Sequence, residues 1–241
     1  MEVLLIAHLL GDFYFQSNQM ADLKKKSNIV LIKHSIIYAL FVLVLLLLAY
    51  GRILESIILT TIIGLSHYGM DWLKSKLEIK YPNSKLIYFF VDQGVHLFVL
   101  WFCAFNFDVF VPFYYLDVPF SISDMLQMIA AVLVCGKPAS IIIAMFFQYI
   151  PKTIEDSLPQ VDEVRSQENV RIGSWIGILE REIILILASL GQYGAIGFVL
   201  TAKSIARHKQ LNEPAFAEKY LLGTLLSSCI ALVCSVLCTI F

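Results

Sequence analysis

Charge is scarce in this sequence. Lysine, arginine, aspartate and glutamate make up 15% of the residues, against about 25% in a typical soluble domain. That shortage, with 59% hydrophobic residues and a mean hydropathy of +0.76, excludes an ordinary water-soluble domain. Metal-binding cysteine pairs are missing too. The five cysteines (Cys103, Cys135, Cys229, Cys234, Cys238) lie in apolar runs without CxxC spacing. They read as small packing residues, not as a disulfide framework or a thiolate zinc site. The opening MEVLLIAHLLGD lacks a basic leader and a small-residue cleavage site, so it reads as a first membrane helix and not as a removable signal peptide. No internal repeat is evident.

What the chain does have is long apolar runs. IIYALFVLVLLLLAY (36–50) and SIILTTIIGL (56–65) are too long and too apolar for one globular core. They define a polytopic membrane protein. The expected architecture is an all-α transmembrane bundle of about seven to eight membrane helices with an amphipathic helix on the cytoplasmic side. The spans read as 2–20, 29–50, 53–75, 86–106, 122–135, 173–190, 194–207 and 215–240. GKP (136–138) ends the fifth, since proline disfavours helix in the residue before it. SIIIAMFFQYI (140–150) then reads as interfacial, and 151–172 as the one long polar connection. The chain divides into a four-helix module, 1–106, and a second module, 107–241, within one integrated membrane domain.

Basic residues set the expected orientation. Lys24, Lys25, Lys26, Lys33, Lys74, Lys76, Lys80, Lys85, Lys137, Lys152, Arg165, Arg171, Arg207, Lys209 and Lys219 fall on one side of this threading, and Arg52 on the other. The basic side is therefore cytoplasmic, and the loops at 51–52 and 107–121 face outward. The net charge of −1 points to no partner by itself; membrane lipids are expected, nucleic acid is not.

Against this apolar background one polar device recurs. HLLGD (His8, Asp12), HYGMD (His67, Asp71) and DQGVH (Asp92, His96) each set a histidine and an aspartate four apart, and His34 opens the second span. Residues four apart share a helix face, and the threading brings all seven to one depth near the cytoplasmic side. Ionisable groups in a span are costly and face a bundle interior or a water-filled cavity. Three ionised aspartates with neutral histidines carry −3, so one divalent ion leaves −1 and two leave +1. Imidazole and carboxylate are ordinary ligands for zinc, iron or manganese. His8, His67 and His96 are the preferred ligands. Asp12, Asp71 or Asp92 complete the shell or act as base, and His34 is a fourth ligand or a proton shuttle. A structural polar network and a proton relay are the competing readings. Gly11, Gly64, Gly69 and Gly94, beside these residues, suit close helix approach. Gln16 and Asn18 in FQSNQ read as helix-end capping groups, with hydrogen bonding to a substrate as the alternative, and Tyr38 and Tyr68 as nearby proton donors or ordinary interfacial tyrosines.

In the second half, Gly173 and Gly177 form a small-residue helix face ahead of Glu180, Arg181 and Glu182. Lys203, Arg207 and Glu218 are the candidate partners of Glu180 and Arg181. The group is either a structural charge lock or a basic pocket for a phosphate headgroup or carboxylate. The segments HLLGDFYFQSNQMADLK, HYGMDWLK, VDQGVHL, GKPASIII, IGILER, GFVLTAKSIAR and AEKYLLGTLLS together resemble the bacterial and phage membrane family known as domain of unknown function 3307. That resemblance implies a bacterial integral protein of the inner membrane and brings no established reaction. In its ingredients the His/Asp cluster is also similar to the sites of membrane-bound metal-dependent hydrolases and of seven-helix zinc ceramidase-like proteins. Their sequence motifs are absent here, so no residue roles follow from them. The expectation is a membrane-embedded metal-dependent hydrolase, with zinc as the metal in one or two ions, acting on a lipid or a membrane-associated peptide or amide. A metal-ion or proton-coupled transporter and a non-catalytic scaffold are the alternatives.

Overall fold

In a computed structural model of the chain the described residues are 1–81, 84–107, 122–148 and 163–240, with 163–171, 239 and 240 described in backbone alone. The outward loop read at 107–121 lies outside them beyond Phe107. Residues 151–162 of the polar connection, and the side chains of Lys152, Arg165 and Arg171, lie outside them as well. Every regular element among the described residues is a helix: α1 Glu2–Leu9, α2 Asn18–Leu23, α3 Asn28–Tyr50, α4 Ile53–Lys80, α5 Lys85–Asn106, α6 Ile122–Cys135, α7 Lys137–Phe147, α8 Glu163–Ser189, α9 Tyr193–Ala206 and α10 Pro214–Ile240. A π turn, Leu10–Tyr14, extends α1, and a short 3-10 turn, Gln210–Asn212, precedes α10. The chain forms two compact units, Met1–Ala130 and Ala131–Phe241, divided inside α6.

Five described segments are long and apolar enough to cross a membrane: Asn28–Tyr50, Ile53–Lys80, Lys85–Asn106, Ile122–Phe147 and Pro214–Cys238. The sequence predicts more spans than these. The expected first span, 2–20, is broken: α1 has 8 residues, and Ser17 starts a separate short helix by accepting a hydrogen bond from the Met20 amide at 3.1 Å. The cap is therefore Ser17, between the two residues singled out for that role. The expected stop at GKP is a single residue, Gly136, after which Pro138 stands in the first turn of α7, a position where its missing N–H costs nothing. α6 and α7 together reach spanning length, which replaces the interfacial reading of 140–150. The break at GQYG is present. Gly191 adopts φ +70° at the end of α8, and the Gln192 amide closes the turn on the Leu187 carbonyl at 2.8 Å. This left-handed stop favours glycine.

In the first unit α4 packs between α3 and α5, while α1 lies against α3 and α5. The buried residues follow helical spacing: Leu31, His34, Tyr38, Val42 and Leu46 on α3; Leu59, Ile63, His67 and Asp71 on α4; Asp92, His96, Leu100 and Cys103 on α5. Each inward stripe is apolar at one end and polar at the other. The opposite faces carry exposed apolar side chains, among them Ile29, Leu48, Leu54 and Phe105. Such faces suit contact with lipid. In the second unit α8 packs on α10, α9 and α7, around Ile184, Leu185, Ala188, Ile196 and Ala231.

Candidate functional site

The polar ends of the three inward stripes meet. His34 lies about 9 Å along α3 from its start, Asp71 about 14 Å from the end of α4, and Asp92 about 10 Å from the start of α5, at about 1.5 Å per residue. Because α3 and α5 run opposite to α4, these positions share one level, off the middle of the spans. His8, Asp12, His34, His67, Asp71, Asp92 and His96 are all buried, none more than 6% exposed. The seven side chains read from sequence as one cluster are one cluster.

Within it, two groups present converging ligand atoms. Asp12, His34, His67 and Asp71 form the first, and Asp71, Asp92 and His96 the second; both can hold a metal ion. In the first, His34 Nε2 lies 3.3 Å from Asp12 Oδ1 and 3.4 Å from Asp71 Oδ2. His67 Nε2 lies 3.1 Å from His34 Nε2, 3.6 Å from Asp71 Oδ2 and 3.9 Å from Asp12 Oδ1. One imidazole nitrogen donates at most one proton, so no more than two of these five contacts are ordinary hydrogen bonds. In the second group Asp92 Oδ1 and His96 Nε2 are 3.7 Å apart. Neither has a hydrogen-bond partner among the described residues. His34 Nδ1 and His67 Nδ1 also have none, a departure from the usual metal-bound histidine, whose second nitrogen donates to a carbonyl or carboxylate.

His8 stands outside both groups. Its Nε2 meets the Gln93 side-chain carbonyl at 3.0 Å and its Nδ1 meets the Tyr38 hydroxyl at 3.2 Å. Gln93 Nε2 donates to Asp12 Oδ2 at 3.0 Å and to Asp92 Oδ2 at 3.2 Å, which fixes its amide orientation. His8 Nε2 therefore donates to Gln93, and Nδ1 accepts the Tyr38 O–H. Tyr38 also stacks on His67, centroids 3.8 Å apart and planes 6° from parallel. The backbone of the π turn runs close to that tyrosine: a Cβ on Gly11 would come within 2.8 Å of Tyr38 Cδ2. Only glycine fits there without displacement.

Five participants are not evident from the sequence as site residues. Lys24 Nζ is 2.8 Å from Asp71 Oδ2 and 3.9 Å from Asp12 Oδ1; Lys74 Nζ is 2.7 Å from Asp92 Oδ2. Further out, Lys25 pairs with Glu78 at 2.6 Å. Gln93 is the fifth, linking His8, Asp12 and Asp92. Lys24 and Lys74 bring the three aspartates from −3 to −1 with neutral histidines. Lysines read as topology signals thus also offset most of the cluster's negative charge. The one signal available was the placement of Lys74 three residues after Asp71.

In the second unit Glu180 and Arg181 are buried. Glu180 pairs with Lys203, as the sequence suggested, and Lys203 also donates to Thr224 Oγ1 at 3.0 Å. Arg181 turns elsewhere. It donates to the Cys135 carbonyl, to the Gly136 carbonyl at 3.2 Å, to Ser140 Oγ at 2.6 Å and to Ser227 Oγ at 3.4 Å. A helix C-terminus offers unpaired carbonyls and a partial negative charge, so the end of α6 takes the place of an acidic side chain. Arg207 bonds Gln210, and Glu218 is exposed. Among the described residues Gly173 and Gly177 pack no helix: a Cβ on Gly173 would meet nothing within 4 Å, and one on Gly177 only Arg181.

Residues 1–118 match the family described as "Protein of unknown function (DUF3307)". The family resemblance read from the sequence therefore holds over the stretch that contains every residue of the His/Asp cluster. No curated protein and no solved structure matches the chain.

Proposed function

We propose that the first unit is a membrane-embedded metal-dependent hydrolase with zinc at the His/Asp cluster, acting on a lipid or a membrane-associated peptide or amide from the cytoplasmic side. The observation that carries this reading is the spacing of the first group. Four ligand atoms about 2.0–2.1 Å from a tetrahedral zinc ion stand about 3.3–3.4 Å from one another. The five measured separations run from 3.1 to 3.9 Å, and the sixth, between Asp12 and Asp71, is within 4.8 Å. Four protein ligands close a zinc shell, which suits a structural ion. The second group supplies only three residues, Asp71 being shared. An ion there keeps a position for water, which a zinc ion activates towards a pKa of about 7. Asp71 belongs to both groups; Asp92 and His96 would hold the open ion with it, and Asp12, His34 and His67 the closed one. Lys24 and Lys74, which pair with Asp71 and Asp92, would give up those carboxylates to the ions.

The test is elemental analysis of the purified full chain after exposure to zinc and dialysis. Two ions per chain are expected, one in His96→Ala and none in Asp71→Asn, with folding checked by circular dichroism. A folded wild-type chain that neither carries nor acquires metal removes the reading. Proton- or metal-ion-coupled transport is a second reading, favoured by the buried lysine–carboxylate pairs, since such groups inside spans are common in ion pathways.

A further inference from the structure

The second unit contains a cavity of about 500 Å³, within the range of small-ligand pockets. Its chemistry is divided. One part of the lining is apolar, with Ile143, Phe147, Ile176 and Phe216; the other carries Arg181, Lys203, Arg207 and Lys219 against a single carboxylate, Glu180. Lys203 is taken by Glu180. Arg207 and Lys219 have no carboxylate within 4 Å among the described residues, so the lining has an excess of positive charge. Glu180 is 6% exposed, and its Oε1 has no hydrogen-bond partner among the described residues. A buried acceptor left without a donor is costly. The cavity therefore calls for an anion, a hydrogen-bond donor beside it and an apolar tail.

We propose that this cavity binds an anionic phospholipid with a hydroxylated head, of the phosphoglycerol type. Arg207 and Lys219 take the phosphate, and Arg181 adds positive charge from the wall. A head-group hydroxyl donates to Glu180 Oε1, and an acyl chain lies along Phe147 and Ile176. Gly173 and Gly177 leave the room for it on α8. The inference stands apart from the metal reading and rests on none of the cluster residues.

The full chain in a neutral detergent is titrated calorimetrically with dihexanoyl phosphatidylglycerol, dihexanoyl phosphatidylcholine, glycerol phosphate and inorganic phosphate. The glycerol lipid is expected to bind saturably and at least tenfold tighter than the other three. Arg207→Gln and Lys219→Gln each weaken it about fivefold, while Lys209→Gln, outside the lining, leaves it unchanged. Gly173→Leu, whose Cβ meets no neighbour, fills the cavity and abolishes binding without loss of helix. Equal affinity for the two lipids overturns the proposal, as do wild-type affinities in the Arg207, Lys219 and Gly173 variants. Glycerol phosphate or inorganic phosphate binding as tightly as the lipid also overturns it, and assigns the site to a soluble phosphate.

Discussion

Lys24 shows how a single side chain serves two ends. Its sequence neighbours Lys25 and Lys26 mark it as one of three topogenic charges, yet it is buried and holds Asp71 at 2.8 Å. A lysine stem is long enough to bring its ammonium inward from a helix end, so no spacing rule reveals which of the three lysines does so. The imidazoles and carboxylates were legible because their burial in an apolar span demands a partner. Their partners were not, because those come from flexible side chains. Removing one member of a buried ion pair costs about 3–5 kcal/mol. Lys24→Met is therefore expected to lower the unfolding free energy by about that much without added metal. Zinc should restore most of the loss and bind more tightly than to the wild type, because the competing ammonium is gone. Calorimetric metal titration with parallel denaturation checks both; a variant that metal does not rescue identifies the pair as purely structural.

Regular helices made two of the three His–Asp pairs readable, and an irregular one spoiled the third. His67/Asp71 and Asp92/His96 sit within α4 and α5, so residues four apart project together. His8 and Asp12 both meet Gln93, but only Asp12 joins the converging ligand atoms, and it lies in a π turn closed by an i→i+5 hydrogen bond, Leu10 carbonyl to Phe15 amide at 2.9 Å. Such π turns recur at functional sites. This one sends Asp12 to the metal-ligand group and His8 to Tyr38 and Gln93. Sequence periodicity cannot announce it, since the extra residue depends on Gly11 meeting Tyr38. The α6–α7 break is a second case in which tertiary contact decides. Arg181 on α8 ties down the carbonyls of Cys135 and Gly136 and two serine hydroxyls. A guanidinium fork reaches several acceptors at once, and an ammonium does not. Arg181→Lys should therefore destabilise the protein by about 1.5–3 kcal/mol, read in detergent unfolding. Wild-type stability in that variant contradicts the role given to the fork.

At the scale of the molecule the first unit inverts the arrangement of a soluble domain. Its outer faces carry Leu48, Leu54 and Phe105, while the interior at one end holds histidine, aspartate and lysine. Composition sufficed to read the membrane character and the helical class. The number of spans was less legible, because α1, α8 and α9 are apolar in part but fall short in length or carry charge. From the distribution of lysine we propose that the polar end of the first unit faces the cytoplasm. In a cysteine-free background Arg52→Cys, before α4, should react with a membrane-impermeant maleimide added outside intact cells. Lys80→Cys, at the other end of the same helix, should react only after lysis. The reverse pattern inverts the orientation and moves the site to the outer leaflet.

The joint between α3 and α4 is two residues long, Gly51 and Arg52, with Gly51 in the left-handed region. Two rods pinned so tightly at one tip can part only at the other, like the jaws of callipers. His34 rides on one jaw, His67 and Asp71 on the other, so a small swing about the pin becomes a change in the gap between them. The spacing of His34 against His67 and Asp71 is thus tied to the geometry of a joint at the opposite end of the two helices.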